Sequence, residues 1–323
     1  MTSTYAWVAA GALPVALWVD HAFGEPPTRL HPVVWMGQAL NRAAPWVLPV
    51  ATADQQPPDF KSFSRGALVH IACAAIIFAS AWGLQALLLQ LPAVLATLLL
   101  GAVLKPMLAW RMLHREVLAV EAALGDSLDA GRQRLSWLVS RDTANLSADE
   151  VRESAIESLA ENLNDSVVAP IFWFVLFGLP GAAVYRFANT ADAMWGYRGV
   201  RHGQTWEWAG KWAARADDVL SWVPARLTAG LIVAVTQGVT FKGLRAEARR
   251  TPSPNSGWPM AAMAIALGIR LGKPGVYTLN AAGRVPEAAD TFKTIKKASN
   301  VLVALVFVAC CALLLIAFYG AGR

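Results

Sequence analysis

Charge, cysteine and familiar catalytic signatures are what this chain has least of. Only 15% of its 323 residues are charged, against about 25% in soluble domains. Its three cysteines, Cys73, Cys310 and Cys311, all lie in apolar segments. That excludes a disulfide framework, and no Cys/His spacing suits zinc. There is no Walker A signature, no nucleic-acid module and no internal repeat. The first apolar stretch lacks a basic leader and a small-residue cleavage site, so no cleaved signal peptide is expected.

What the chain does have is apolar surface: 56% of its residues are hydrophobic, and 14 are Trp, a residue that gathers at membrane interfaces. The expected fold is all-α and polytopic, a single membrane domain over residues 1–323. It should have about four to six membrane-embedded helices, two of them broken or re-entrant, plus cytoplasmic amphipathic helices. The segments fall at about 5–19, 66–89, 93–110, 168–187, 219–235 and 301–319, and the polar loops at about 20–65, 111–166, 190–218 and 237–298. Segment 5–19 is short and holds Pro14, so it reads as a tilted span or an interfacial helix. Gly178-Leu179-Pro180-Gly181 interrupts 168–187, and Pro224 and Arg226 fall within 219–235. Arg111 to Arg141 reads as an amphipathic helix, Met260 to Leu271 as a helix, and Ala51 to Phe63 as a polar linker.

No Lys or Arg precedes Arg29, and only Arg323 follows Lys297. The positive-inside rule therefore puts both termini outside and loops 20–65, 111–166 and 237–298 inside. With 168–187 and 219–235 re-entrant, every polar motif faces the cytoplasmic side of the cell inner membrane, whereas two full crossings would put loop 190–218 outside. The net charge of +6 is spread over the loops. It reads as an orientation signal and an attraction for anions, with no nucleic-acid partner.

The stretch the other motifs serve is Arg141 to Pro170. Ser147 and Glu150 have capping-box spacing, so a helix should start near Ala148. Glu150, Glu153, Glu157 and Glu161 fall within about 80° of one another, and Asp165 continues that side. Ile156, Leu159, Ala160 and Leu163 form an apolar stripe opposite. Like charges four apart repel by roughly 0.2–0.5 kcal/mol per pair, so the row calls for cations. A solvated acidic face is the plainer reading.

Further along, Asn189 and Asp192 follow one broken segment, and Asp217 and Asp218 precede the other. Carboxylates at membrane boundaries are costly unless paired or metal-bound, and oxygen-only clusters suit Mg²⁺. Pairing of Asp217 and Asp218 with Arg215 or Arg226 is the structural alternative. Ser253, Asn255 and Gly257 open a helix and offer backbone N–H groups to phosphate, although a helix-capping loop explains them nearly as well. His31 and Arg29 sit in the Gly- and Pro-dense loop from Asp20 to Val33, where regular structure is not expected; an anion or metal site and a turn capping the first span are the two readings.

Taken together these motifs resemble the CobD/CbiB family, the adenosylcobinamide-phosphate synthases of cobalamin biosynthesis. The resemblance lies in GEPPTRLHPVVWMG at 24–37, RDTANLS at 141–147, ESLAENLNDSVVAP at 157–170, NTADAMWGYR at 189–198, ARADDVLSWVPAR at 214–226 and SPNSGWP at 253–259. The chain departs twice from the family pattern, with Glu25 where Asp is usual and Met260 where Glu is usual.

The resemblance implies an ATP-dependent amide ligation of adenosylcobyric acid with aminopropanol phosphate or a related amino-alcohol, giving adenosylcobinamide phosphate. ATP and Mg²⁺ are the implied cofactors. The implied partners are the corrinoid, the amino-alcohol phosphate and the lipid bilayer, with other corrinoid-pathway enzymes or a second copy of the chain as further candidates. On that basis Glu157, Glu161, Asp165, Asp192, Asp217 and Asp218 are expected to be catalytic. Glu161, Asp165 and Asp192 are the expected metal ligands. Arg141, Asn162, Asn189, Arg226, Ser253, Asn255, Gly257, His31 and Arg29 are expected to bind substrate or phosphate. Two other readings stay open: a metal-dependent membrane transferase acting on a diphosphate, and a non-catalytic paralogue serving corrinoid transport or assembly.

Overall fold

The structure, a computed structural model, describes residues 3–48, 59–201, 203–236 and 241–321. Thirteen α-helices occur among them: α1 (Ser3–Phe23), α2 (Pro32–Val47), α3 (Phe60–Leu88), α4 (Ala93–Leu104), α5 (Trp110–Asp126), α6 (Leu128–Leu135), α7 (Ala148–Leu163), α8 (Ala169–Trp195), α9 (Lys211–Leu220), α10 (Trp222–Ala234), α11 (Phe241–Ala248), α12 (Gly257–Leu267) and α13 (Ala288–Ala321). Two short antiparallel ribbons complete the inventory: β1 (Val200–Arg201) with β2 (Gln204–Thr205), and β3 (Leu271–Lys273) with β4 (Tyr277–Leu279).

Among the described residues, five helical stretches are long and apolar enough to cross a membrane: Thr4–Phe23, Phe60–Leu88, Ala93–Asp126, Ala148–Trp195 and Ala288–Gly320. The chain is thus an all-α polytopic membrane protein. On α3, Leu68, Ile71, Ile76, Trp82 and Leu87 are all at least half exposed, an arrangement that suits lipid and would be an aggregation surface in water.

Several sequence expectations change in detail. The first helix runs through Pro14 for 21 residues, longer than 5–19. The segment 93–110 is not one helix, because α4 ends at Leu104 and Pro106 lies in a 3₁₀ turn over Lys105–Met107. Segment 219–235 holds only the 13 residues of α10, short of the roughly 20 that a span needs. The loop expected from Asp20 to Val33 is irregular only between Phe23, where α1 ends, and its 3₁₀ turn, Thr28–Leu30. From there α2 starts, with Pro32 in its first turn and His31 Nδ1 accepting from the Val33 N–H at 3.2 Å.

Arg111 to Arg141 is two helices rather than one. Ser127 ends α5 and caps α6. Helix α12 begins at Gly257 and stops before Gly268, giving way to β3. Residues 51–58 of the expected linker lie outside the described residues, as do 237–240 of the 237–298 loop.

The break expected at Gly178 is a kink within α8. Gly178 has φ 72° and ψ −159°, a conformation open to glycine alone. The Leu179 N–H, displaced from the helix ladder, donates to Gln85 Oε1 at 2.8 Å.

The described residues fall into two compact units. One comprises Met1–Leu108, Ala169–Leu220 and Ala309–Arg323, and the other Ala109–Val168 and Ser221–Val308. In the first, α1 lies against α4 and α3 against α8. In the second, α7 is central, packed by α5, α6, α12 and β3.

Candidate functional site

Helix α7 starts at the capping box expected for it, with Ser147 and Glu150 exchanging both bonds. Its apolar stripe of Ile156, Leu159, Ala160 and Leu163 is wholly buried. The acidic row is not a solvated face. Glu153 and Glu157 are each 4% exposed, and each meets a cation: Glu153 Oε1 lies 3.0 Å from Arg270 Nε, and Glu157 Oε2 lies 3.5 Å from Arg141 Nη2. Arg141 also donates to Ser154 Oγ. Burying carboxylates is costly without such partners.

A cavity of about 190 Å³ opens along this row, lined by Arg141, Ser154, Glu157, Ser158, Glu161, Asn162, Met260, Lys273 and Tyr277, among others. Arg141, Glu157, Glu161 and Asn162, four of the expected site residues, are therefore brought together. Asn162 Nδ2 donates to the Ser158 carbonyl at 3.0 Å. The Tyr277 phenol is held above its usual pKa by burial first and then by the charges of Glu157 and Glu161. A second cavity of about 600 Å³ shares Lys273 and Tyr277 and adds Glu150, Glu153 and Arg270. The β3–β4 hairpin that supplies Lys273 and Tyr277 lies outside every motif read from the sequence. The turn dipeptide Pro274-Gly275 was the signal that could have revealed it.

Asp165 lies in a π-helical turn, Asn164–Val168, which takes it off the α-helical spacing of the acidic row. Asn164 Nδ2 donates to Asp165 Oδ1 at 2.7 Å, and Thr228 Oγ1 donates to Asn164 Oδ1 at 3.0 Å. Arg226 is engaged with the Ser253–Gly257 loop. Its Nη1 donates to the Trp222 carbonyl at 2.7 Å and to Asn255 Oδ1 at 2.8 Å, and its Nη2 donates to the Pro254 carbonyl at 3.1 Å. Ser253 Oγ accepts from the N–H groups of Asn255 and Ser256, both at 3.2 Å. Two of the amides expected to receive phosphate are thus satisfied within the loop. Gly257 is needed for packing, since a Cβ there would lie 2.1 Å from the Ala248 carbonyl oxygen.

In the other unit, Asn189 Nδ2 donates to Asp217 Oδ1 at 3.4 Å and Arg186 Nη1 donates to Asn189 Oδ1 at 3.3 Å. Burial pushes the Asp218 carboxyl up, with Arg198 opposing the shift. Asp192 packs on the backbone of Gly196: a Cβ there would lie 1.9 Å from Asp192 Oδ1. His31 Nε2 sits 3.1 Å from Glu25 Oε2, and Lys105 Nζ approaches the same oxygen at 2.7 Å and Asp20 Oδ1 at 3.3 Å. Lys105, hidden in an apolar run, was missed by the sequence reading. Arg29 is exposed on the 3₁₀ turn, and its carbonyl accepts from Trp35 Nε1 at 2.9 Å.

Of the expected metal ligands, Glu161 and Asp165 belong to one unit and Asp192 to the other. Among the described residues no group of three or more His, Cys, Asp or Glu that could hold a metal is assembled.

Apolar spans, with polar groups gathered at helix ends and along a cavity, define a polytopic helical membrane protein. The chain belongs to the CobD/CbiB family: the family model described as CobD/Cbib protein matches residues 13–314. It is 42% identical over 273 residues to a probable cobalamin biosynthesis protein CobD of Methanothermobacter thermautotrophicus, covering 83% of this chain and 85% of the relative. It is also 41% identical over 268 residues to the CobD of Chromobacterium violaceum, covering 82% of each. With the CobD of Rhodobacter capsulatus it shares 37% over 302 residues, covering 87% of this chain and 90% of the relative. No solved structure matches the chain.

Proposed function

We propose that this protein acts in cobalamin biosynthesis as an adenosylcobinamide-phosphate synthase, ligating adenosylcobyric acid to aminopropanol phosphate or a related amino-alcohol at the expense of ATP. The pathway is supported by the names of the relatives, each a cobalamin biosynthesis protein CobD. The observation that carries the reaction type is the cavity on α7, where buried carboxylates stand beside a guanidinium.

In the proposed reaction the propionate carboxylate attacks the γ-phosphorus of ATP and ADP leaves. The amine nitrogen then attacks the acyl carbon, phosphate leaves, and the proton shed by the ammonium passes to a carboxylate, for which Glu157 is the candidate. Arg141 supplies fixed positive charge to a phosphate group held in the cavity. Asp217, Asp218 and Asn189 belong to a second polar cluster of the same reading. Mg²⁺, when bound with ATP, neutralises polyphosphate charge. It needs only one or two protein carboxylates beside phosphate oxygens and water, a demand that Glu161, Asp165 or Asp192 fits without a preformed trio. We place the site on the cytoplasmic face of the inner membrane, where ATP is.

The test is growth. A bacterium lacking its own cobinamide-phosphate synthase, fed cobyric acid as sole corrinoid, should grow on cobalamin-dependent medium with this protein and not with Asp165→Ala at equal membrane levels. Absence of growth with the folded wild type overturns the reading. Gly196→Ala pushes a methyl into Asp192, and a displacement of about 1 Å costs on the order of 10²-fold in turnover. Turnover within a few-fold of wild type in that variant removes Asp192 from the machinery.

A further inference from the structure

Two polar atoms on the walls of the 190 Å³ cavity are buried without a hydrogen-bond partner: Oε1 of Glu157, a residue 4% exposed, and Nε of Arg141. The first is an acceptor and the second a donor. Each such group costs about 1–3 kcal/mol, more when charged, until something binds it. Their 3.5 Å ion pair is made through other atoms, Glu157 Oε2 and Arg141 Nη2. The hairpin then brings Lys273 and the Tyr277 hydroxyl to the same cavity.

Burial pushes the Glu157 carboxyl up to about 7; with it ionised, the charges on the walls balance, Glu157 and Glu161 against Arg141 and Lys273. A lone anion meets two carboxylates and a lone cation meets two cations. A molecule carrying one charge of each sign satisfies both sets and both orphaned atoms. The volume equals that of about six waters, the size of a few-carbon molecule. Met260, in the wall with its sulfur 3.9 Å from the Tyr277 hydroxyl, adds no charge and leaves the balance intact.

We propose that this cavity is a subsite for a small zwitterion, its primary ammonium received by Glu157 and Glu161 and its phosphate by Arg141 and Lys273, with Lys273 and Tyr277 as binding residues that no sequence motif contains. The identity of the ammonium as the ligase nucleophile rests on the synthase reading; the selectivity for a paired charge does not.

Calorimetric titration of the full-length protein in detergent, without ATP or corrinoid, tests this with O-phosphoethanolamine, ethanolamine and inorganic phosphate as probes. The zwitterion should bind at least tenfold tighter than either half. Lys273→Met should lose tenfold or more and Lys273→Arg should retain binding. Lys273 is exposed, so its replacement leaves folding intact. Phosphate bound as tightly as O-phosphoethanolamine, or unchanged binding in Lys273→Met, overturns the proposal. Zwitterion binding without ATP-dependent ligation would leave the subsite standing and sink the synthase reading. Ligation whose KM for the amine is indifferent to Lys273→Met would do the reverse.

Discussion

Lys105→Met lowers the unfolding free energy of this protein by roughly 3–5 kcal/mol, the usual penalty for removing one partner of a buried ion pair. Asp20 and Lys105 are 1% and 2% exposed, and Lys105 Nζ lies between Asp20 Oδ1 and Glu25 Oε2. Without that cation the Asp20 and Glu25 carboxylates lose the partner they share, and Glu25 keeps His31. A fall in the thermal midpoint of the detergent-solubilised protein is the expected readout, and Asp20→Asn with Glu25→Gln in the Lys105→Met background should recover part of it. An unchanged midpoint would show that the network contributes nothing. Burial raises the Glu25 carboxyl, but the contacts with His31 and Lys105 outweigh it and leave the group below its ordinary value of 4.5. Its contribution to stability is therefore complete above that value and is lost as pH falls through the lower, folded one.

Glu157→Gln separates chemistry from stability. If Glu157 takes the proton from the attacking amine, ligation should fall on the order of 10²–10⁴-fold, the range for a lost general base. The amide keeps the shape of the side chain and mimics its neutral form, toward which burial already pushes the carboxyl, up to about 7, so the thermal midpoint should hold despite the lost pair with Arg141. Steady-state turnover and a melt on the same preparation check both halves. Retained turnover removes Glu157 from the reaction, whereas a collapsed midpoint makes it structural, the anchor of Arg141.

Much of the scaffold was legible because its signals are local. The capping box of Ser147 and Glu150 started α7 where expected, and Gly178 marked the kink in α8. Asp20, Glu25 and His31 were visible as a polar knot, yet the cation that answers them was not, since Lys105 lies in a hydrophobic run that reads as a plain span. The Ser253–Gly257 loop was read as a phosphate cradle, and its Ser253 Oγ and Arg226 contacts turn much of that capacity inward.

By itself the sequence determined the class of protein, the helical periods and the residues that share the α7 acidic face, because hydropathy and a 3.6-residue repeat act within a few turns of chain. Tertiary structure decided what that face meets. Burial of Glu153 and Glu157, their pairing with Arg270 and Arg141, and the arrival of Lys273 and Tyr277 on a hairpin depend on segments far apart in the chain. The strength of a charge pair follows from solvent exclusion and distance, and neither is set until those segments pack.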